Sequence, residues 1–163
     1  MKEIWELLDE NGCYSGIRIS REERDEIPDG LYFPCVEIWV KVGDRLLLTR
    51  RHPDKREGLK YDVPGGAVLS GESMTDGAIR ELFEEVGISA SADRLIYLGS
   101  VTVGKAYATS YLLYLDTIPR LTLQPSEVVD YSLCTAPELE SMQHELTVGT
   151  GIRYRLYKRK LFA

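Results

Sequence analysis

Between residues 74 and 86 the run MTDGAIRELFEEV spaces its acids and apolar residues for a helix with two unlike faces. Projected at about 100° per residue with Glu81 at zero, Glu85 falls near 40° and Glu84 near 300°. Three carboxylates therefore share an arc of about 100°, while Leu82, Val86, Ile79 and Phe83 lie between about 100° and 200°. The expectation is a helix of about three turns, its apolar face in a core and a carboxylate cluster opposite. Ser73 and Asp76 fit a capping box at its start.

Acids on one stripe repel one another by a few tenths of a kcal/mol per pair, and no lysine is interleaved here. Two readings fit: an exposed acidic face, or a site where a divalent cation offsets the repulsion. Oxygen ligands select Mg²⁺ or Mn²⁺, whereas Zn²⁺ favours His or Cys. Gly77, at about −40° on the same stripe, is expected to leave backbone room for a ligand.

Upstream, Val36, Ile38, Val40 and Val42 recur at period two, Gly43-Asp44 supplies a turn, and Leu46, Leu47 and Leu48 continue the apolar pattern. That is a β-hairpin signal. Strands are expected near Leu95 to Val103, Tyr107 to Leu115 and Val128 to Leu133, with a tight connection at Gly104-Lys105. Helices are expected from about Pro137, where proline suits a first turn, and from about Ile152 to Leu161. This order gives an α/β fold with a mixed sheet covered by helices. Residues 1 to 30 read as an N-terminal arm or hairpin, and the 163 residues as a single domain.

Lys and Arg number 20 against 26 Asp and Glu, a net charge of −6 that disfavours general nucleic-acid binding. No apolar run reaches the roughly 18 residues of a membrane span, and the N-terminus lacks a signal-peptide pattern, so a cytoplasmic protein without membrane contact is expected. Cys13, Cys35 and Cys134 have no metal or redox spacing and read as buried thiols. The segment RRHPDKREGLK, residues 50 to 60, concentrates positive charge. It is either a solvated loop or a clamp on phosphate oxygens, with Arg51 and Arg56 as the substrate-binding candidates. Tyr61, Tyr107 and Tyr111 are open between core packing and stacking on a base.

The stretch from Gly66 to Ile88 resembles the Nudix box of the Nudix hydrolase family: Gly66, Glu72, Arg80, Glu81, Leu82, Glu84, Glu85, Gly87 and Ile88 fill its pattern. The resemblance implies a Nudix-type α/β/α sandwich with a mixed β-sheet between helices. It also implies a Mg²⁺- or Mn²⁺-dependent hydrolase. The bond cleaved would be a diphosphate linkage in a nucleoside diphosphate joined to another moiety, or in a related organic diphosphate. Glu81, Glu84, Glu85 and the carbonyl of Gly65 match metal ligands. Gly66, Glu72 and Arg80 match structural supports, Arg80 by a salt bridge to a neighbouring glutamate and Glu72 by fixing the loop to the helix. Metal-bound water would attack phosphorus after losing its proton to a carboxylate. That base is a box glutamate or an acid in QPSEVVDYSL, where Glu127 comes first and Asp130 second. The implied partner is a small-molecule diphosphate, and a homodimer is the family-level expectation. A nucleotide-binding or sensing module is the alternative; lost box acids would mark it, and none is lost.

The N-terminal half, with WELLDENG and LLLTRR, is also similar to the isopentenyl-diphosphate isomerase branch of the superfamily. That isomerase needs a cysteine and several histidines. Its cysteine would fall at Gly65 and one histidine at Ala67, and the chain has only His52 and His144. Isomerase chemistry is thereby disfavoured.

Overall fold

A computed structural model describes residues 1–163. Strands β1 (Ile4–Leu8) and β2 (Tyr14–Ser20) form a two-stranded antiparallel sheet of their own. Asp9 closes the turn between them, its Oδ1 accepting from the amides of Asn11 at 2.8 Å and Cys13 at 3.0 Å. A 3₁₀ turn over Arg21–Glu26 follows, capped where Glu23 Oε2 accepts from the Ser20 amide and hydroxyl. The arm is fastened to the body by backbone bonds between Leu8 and Tyr32 and from Ser70 to Ile4.

The main sheet contains β3 (Phe33–Val42), β4 (Arg45–Arg51), β5 (Tyr61–Asp62), β6 (Gly65–Ala67), β7 (Ile96–Val103), β8 (Ala106–Leu115) and β9 (Val128–Cys134). Its order is β5-β4-β3-β8-β7, with β6 paired to β3 and β9 to β4. β3 and β8 run parallel from Phe33↔Ala106 to Val42↔Leu115, whereas the other pairs are antiparallel. The sheet is mixed, as expected. The short strands β5 and β6 carry too few residues for periodicity to reveal them.

Side-chain alternation along β3 divides the core. Val36, Ile38 and Val40 pack with Ala78, Leu82 and Val86 of α1 (Met74–Val86). Trp39 faces the other way, into Tyr154, Tyr157 and Leu161 of α3 (Val148–Leu161), beside α2 (Ala136–Ser141). A smaller cluster under the arm joins Trp5, Leu7, Ile27 and Phe33, with the Trp5 and Phe33 rings stacked at 4.6 Å. No helix is long and apolar enough to cross a membrane.

Five local expectations need correction. α3 starts at Val148 rather than near Ile152, because Thr147 caps it through Oγ1 to the Thr150 amide while Gly149 and Gly151 blur the pattern of its first turns. Only half the capping box forms: Ser73 Oγ accepts from the Asp76 amide at 3.1 Å, and the short Asp side chain makes no return bond. Phe83, at the far edge of the apolar arc, is 59% exposed. Cys13 is exposed on the β1–β2 turn and Cys35 half-buried, so Cys134 alone is a buried thiol. Gly77 leaves no room for a ligand, since a Cβ there would meet Val68 Cγ2 at 3.0 Å and Glu72 Oε2 at 3.3 Å. Its missing side chain lets the 68–72 loop close onto the helix instead.

Candidate active site

The acids of α1 straddle its buried edge. Glu85 lies inside the buried arc with Ala78 and Leu82 and is 7% exposed, Glu81 is mostly buried, and Glu84 is exposed. The expected opposition of a core face to a carboxylate face is therefore wrong at Glu85. Its position near 40° borders Leu82 at about 100°, and the sheet reaches past the apolar residues to cover it.

Arg80 organises this edge. Its Nε and Nη2 hold both Glu72 oxygens at 2.6 and 3.0 Å, and Nη2 also donates to the Ala67 carbonyl at 2.9 Å. Its Nη1 donates to Glu81 at 2.6 Å and to Glu84 at 3.3 Å. Part of the repulsion between acids is thus offset from within the helix. Burial pushes the Glu72 carboxyl up, but the Arg80 bonds and the Leu69 amide, donating at 2.9 Å, hold it below the usual carboxylate range. Gly66 admits the Glu81 carboxylate, because a Cβ at Gly66 would stand 2.6 Å from its Cδ.

Glu85 has a different setting. The Gly65 amide donates to its Oε2 at 3.2 Å. Burial first, then the charges of Glu81 and Asp62, push its carboxyl up to about 8, against the pull of that amide and Lys55. Burial likewise raises Glu81, with Arg80 opposing. A buried carboxylate short of positive charge suits a cation.

These acids edge a cleft of about 890 Å³. Its other walls are the arm, with Glu3, Trp5 and Arg24, the loop bearing Arg51, Lys55 and Arg56, the β7–β8 turn at Lys105, and the first turn of α3. Glu127 lines it and is ion-paired with Lys55, whereas Asp130 lies outside, its Oδ1 accepting from the Tyr131 amide at 2.8 Å. Arg51 is committed to structure: Nη1 donates to Asp62 at 3.0 Å and Nε to the Arg56 carbonyl at 2.9 Å. The Arg56 side chain faces the cleft.

The basic loop is anchored, not loosely solvated. Glu57, at a left-handed φ of 53°, accepts from the Val148 amide at 2.9 Å, and Lys60 Nζ donates to the His144 carbonyl at 2.6 Å. Tyr61, Tyr107 and Tyr111 do not line the cleft; Tyr111 is buried and Tyr61 packs on the core. Sequence reasoning passed over Glu37, Asp62 and Arg153. The available signal was Glu37 itself, an acid inside the apolar run VEIWVKV.

No three acidic, histidine or cysteine side chains converge on a single point in these positions, because Glu81 is turned to Arg80 and Glu85 to the Gly65 amide. The donor set nonetheless suits a hard ion. It offers only oxygen, and Mg²⁺ keeps several waters and takes one or two carboxylates rather than a closed protein cage.

The NUDIX domain profile matches residues 31–155 of the chain. The chain belongs to the Nudix family. The Nudix relatives include an uncharacterised Nudix hydrolase of Clostridium acetobutylicum, 34% identical over 127 residues, covering 68% of this chain and 61% of that one. One from Listeria monocytogenes is 29% identical over 86% of this chain and 85% of its own. An RNA pyrophosphohydrolase of Novosphingobium aromaticivorans is 31% identical over 65 residues, 40% of each chain. The first two curated relatives matched, the RNA pyrophosphohydrolase and the Clostridium protein, are thus each spanned over less than two thirds of their length. Among solved structures, DR0079 from Deinococcus radiodurans superposes with a TM-score of 0.73 at 24% identity, over 96% of this chain and 98% of that one. A bifunctional NMN adenylyltransferase/ADP ribose pyrophosphatase of Francisella tularensis, complexed with AMP and a Mn ion, gives 0.70 at 17% identity, over 86% of this chain and 45% of that one. These two likenesses concern the fold. The Nudix sandwich is the architecture described above.

Proposed function

We propose that this Nudix chain is a Mg²⁺- or Mn²⁺-dependent hydrolase of a diphosphate linkage, in a nucleoside diphosphate joined to another moiety or a related organic diphosphate. The observation that carries this reading is the graded burial of Glu81, Glu84 and Glu85 along one wall of the cleft, with basic residues facing it. Glu85, Glu81, Glu84 and the Gly65 carbonyl would hold the cation. When bound, it would neutralise the diphosphate and lower the pKa of a bound water.

The chain's own residues supply the rest. Arg80 keeps Glu81 and Glu72 in place, leaving Glu85 to face the cleft. Glu127 is the general base of the proposal, an acid on the cleft wall that its partner Lys55 orients. Arg56 complements phosphate oxygens on the facing loop, and Arg51 shapes that loop through Asp62.

The test is phosphate or pyrophosphate release by purified protein with Mg²⁺ or Mn²⁺. Its panel comprises nucleotide sugars, dinucleoside polyphosphates, nucleoside triphosphates, isopentenyl diphosphate and 5′-triphosphorylated RNA. Metal-dependent release from at least one substrate, abolished in Glu85→Gln, is the expected result. Binding without release across the panel would favour a nucleotide-binding module instead.

A further inference from the structure

The floor of the cleft beyond the acids is one face of β3, where Phe33, Cys35 and Glu37 stand in a row at every second residue. Glu37 is 2% exposed and fully engaged. Its Oε1 accepts from Trp39 Nε1 at 2.8 Å and from Ser110 Oγ at 2.6 Å, and its Oε2 accepts from Arg153 Nε. The charge of Arg153 is therefore answered inside the protein. Its fork is not: Arg153 is 9% exposed and lines the cleft, and its side chain's one hydrogen bond to protein is that from Nε, which leaves Nη1 and Nη2 without a protein acceptor.

Gly149, second residue of α3, brings the guanidinium close. A Cβ there would lie 2.9 Å from Nη1 and 3.4 Å from Nη2. The Gly149 amide has no acceptor of its own, whereas the amides on either side go to Glu57 and Thr147. At the arm's side of the same cleft the Trp5 indole Nε1 is enclosed without any partner. The cleft thus holds donors that lack acceptors, those at α3 lying next to a cation already neutralised by Glu37 and a helix start whose first amide already goes to Glu57.

Such a site discriminates in two ways. An apolar chain laid over it would leave buried donors unmet, which is costly. A further full anion gains little where Glu37 and Glu57 already supply negative charge. A neutral group with two neighbouring acceptor atoms satisfies the planar fork, as the O6/N7 edge of guanine does. Cytosine offers O2 and N3 in the same way. Adenine and uracil have no adjacent pair of acceptors.

Resting on the reading of the cleft as a diphosphate site, the geometry points to Arg153 as a specificity residue that takes the acceptor edge of a guanine or cytosine base. The substrates are then guanosine or cytidine diphosphate compounds, not prenyl diphosphates.

The test uses monophosphates, which contain no diphosphate bond, so binding is read whether or not the protein is a hydrolase. Calorimetric or NMR titration of the full chain with GMP, CMP, AMP, UMP and ribose 5-phosphate should show GMP or CMP bound at least about tenfold more tightly than the other three. Arg153→Lys keeps a cation beside Glu37 but loses the fork, and should cut that preference to below about threefold with ribose 5-phosphate affinity unchanged. Gly149→Ala, which displaces the guanidinium and favours the helix, is the second variant and should do the same. Equal affinity for all five ligands, no saturable binding of any, or the preference surviving in both variants would overturn the inference. So would an equal loss for every ligand, ribose 5-phosphate included. Preference without hydrolysis would leave it standing and remove the hydrolase reading alone.

Discussion

The backbone amide of Gly65 donates to Oε2 of Glu85 at 3.2 Å, joining β6 to the buried edge of α1. The contact exists because Gly65 sits hard against β3, where a Cβ would stand 2.2 Å from the Val36 carbonyl oxygen and 2.8 Å from Glu37 Cα. Both obstacles are backbone and cannot rotate away. Gly65→Ala should lower stability by about 3 kcal/mol in urea unfolding. A loss below about 0.5 kcal/mol would show that β6 need not lie so close to β3.

Arg80 is the second clasp between the loop and the helix. Arg80→Ala removes the two bonds to Glu72, those to Glu81 and Glu84, and the one to the Ala67 carbonyl. The expected cost is about 2 kcal/mol, since Glu72 and Glu81 are left partly buried without a counter-charge. Arg80→Lys should recover less than half of it, because an ammonium cannot reproduce the planar fork. Chemical denaturation of both variants measures this directly.

The helix itself was legible in the sequence, and so was the hairpin of β3 and β4, because each repeats a period long enough to register. What could not be read is which side of α1 the sheet covers. Periodicity orders residues around an axis, but burial depends on the partner surface. Glu85 was therefore assigned to an open acidic face when it lies under the sheet, and Phe83 to the core when it is exposed. The walls of the cleft were equally hidden. Arg153 and Glu37 are 116 residues apart and meet only through tertiary packing, and Lys55 was one of several equivalent cations until its pairing with Glu127 distinguished it.

Glu127 and Asp130 are both acids and close in sequence, but Glu127 immediately precedes β9 whereas Asp130 is the third residue of that strand. Glu127 lines the cleft while Asp130 caps its own neighbour's amide. Glu127→Gln should reduce kcat by about 10²-fold with little change in KM. Asp130→Asn should stay within about twofold of the parent, as expected for an exposed polar replacement. Steady-state kinetics on the same substrate decides between them, and a larger loss in Asp130→Asn would reverse the assignment.

Arg51 and Arg56 also part company. Arg56→Ala should raise KM about fivefold at nearly constant kcat and leave thermal stability unchanged. Arg51→Ala should instead destabilise the fold by about 1–2 kcal/mol, because it removes the guanidinium paired with Asp62 Oδ2 at 3.0 Å and leaves that oxygen unpaired. Kinetics paired with thermal unfolding separates a substrate contact from a scaffold contact.

In the proposed function, Glu85 helps to hold a divalent cation at the edge of the cleft. Thermal unfolding of the parent and of Glu85→Gln, each with and without saturating Mn²⁺, tests it without reference to any substrate. The parent should gain about 5 °C on adding Mn²⁺, as a ligand specific to the folded state requires. Glu85→Gln should be at least as stable as the parent without metal, since it removes a carboxylate that burial disfavours, and should gain nothing from Mn²⁺. An equal gain in both proteins, or none in the parent, would contradict the account.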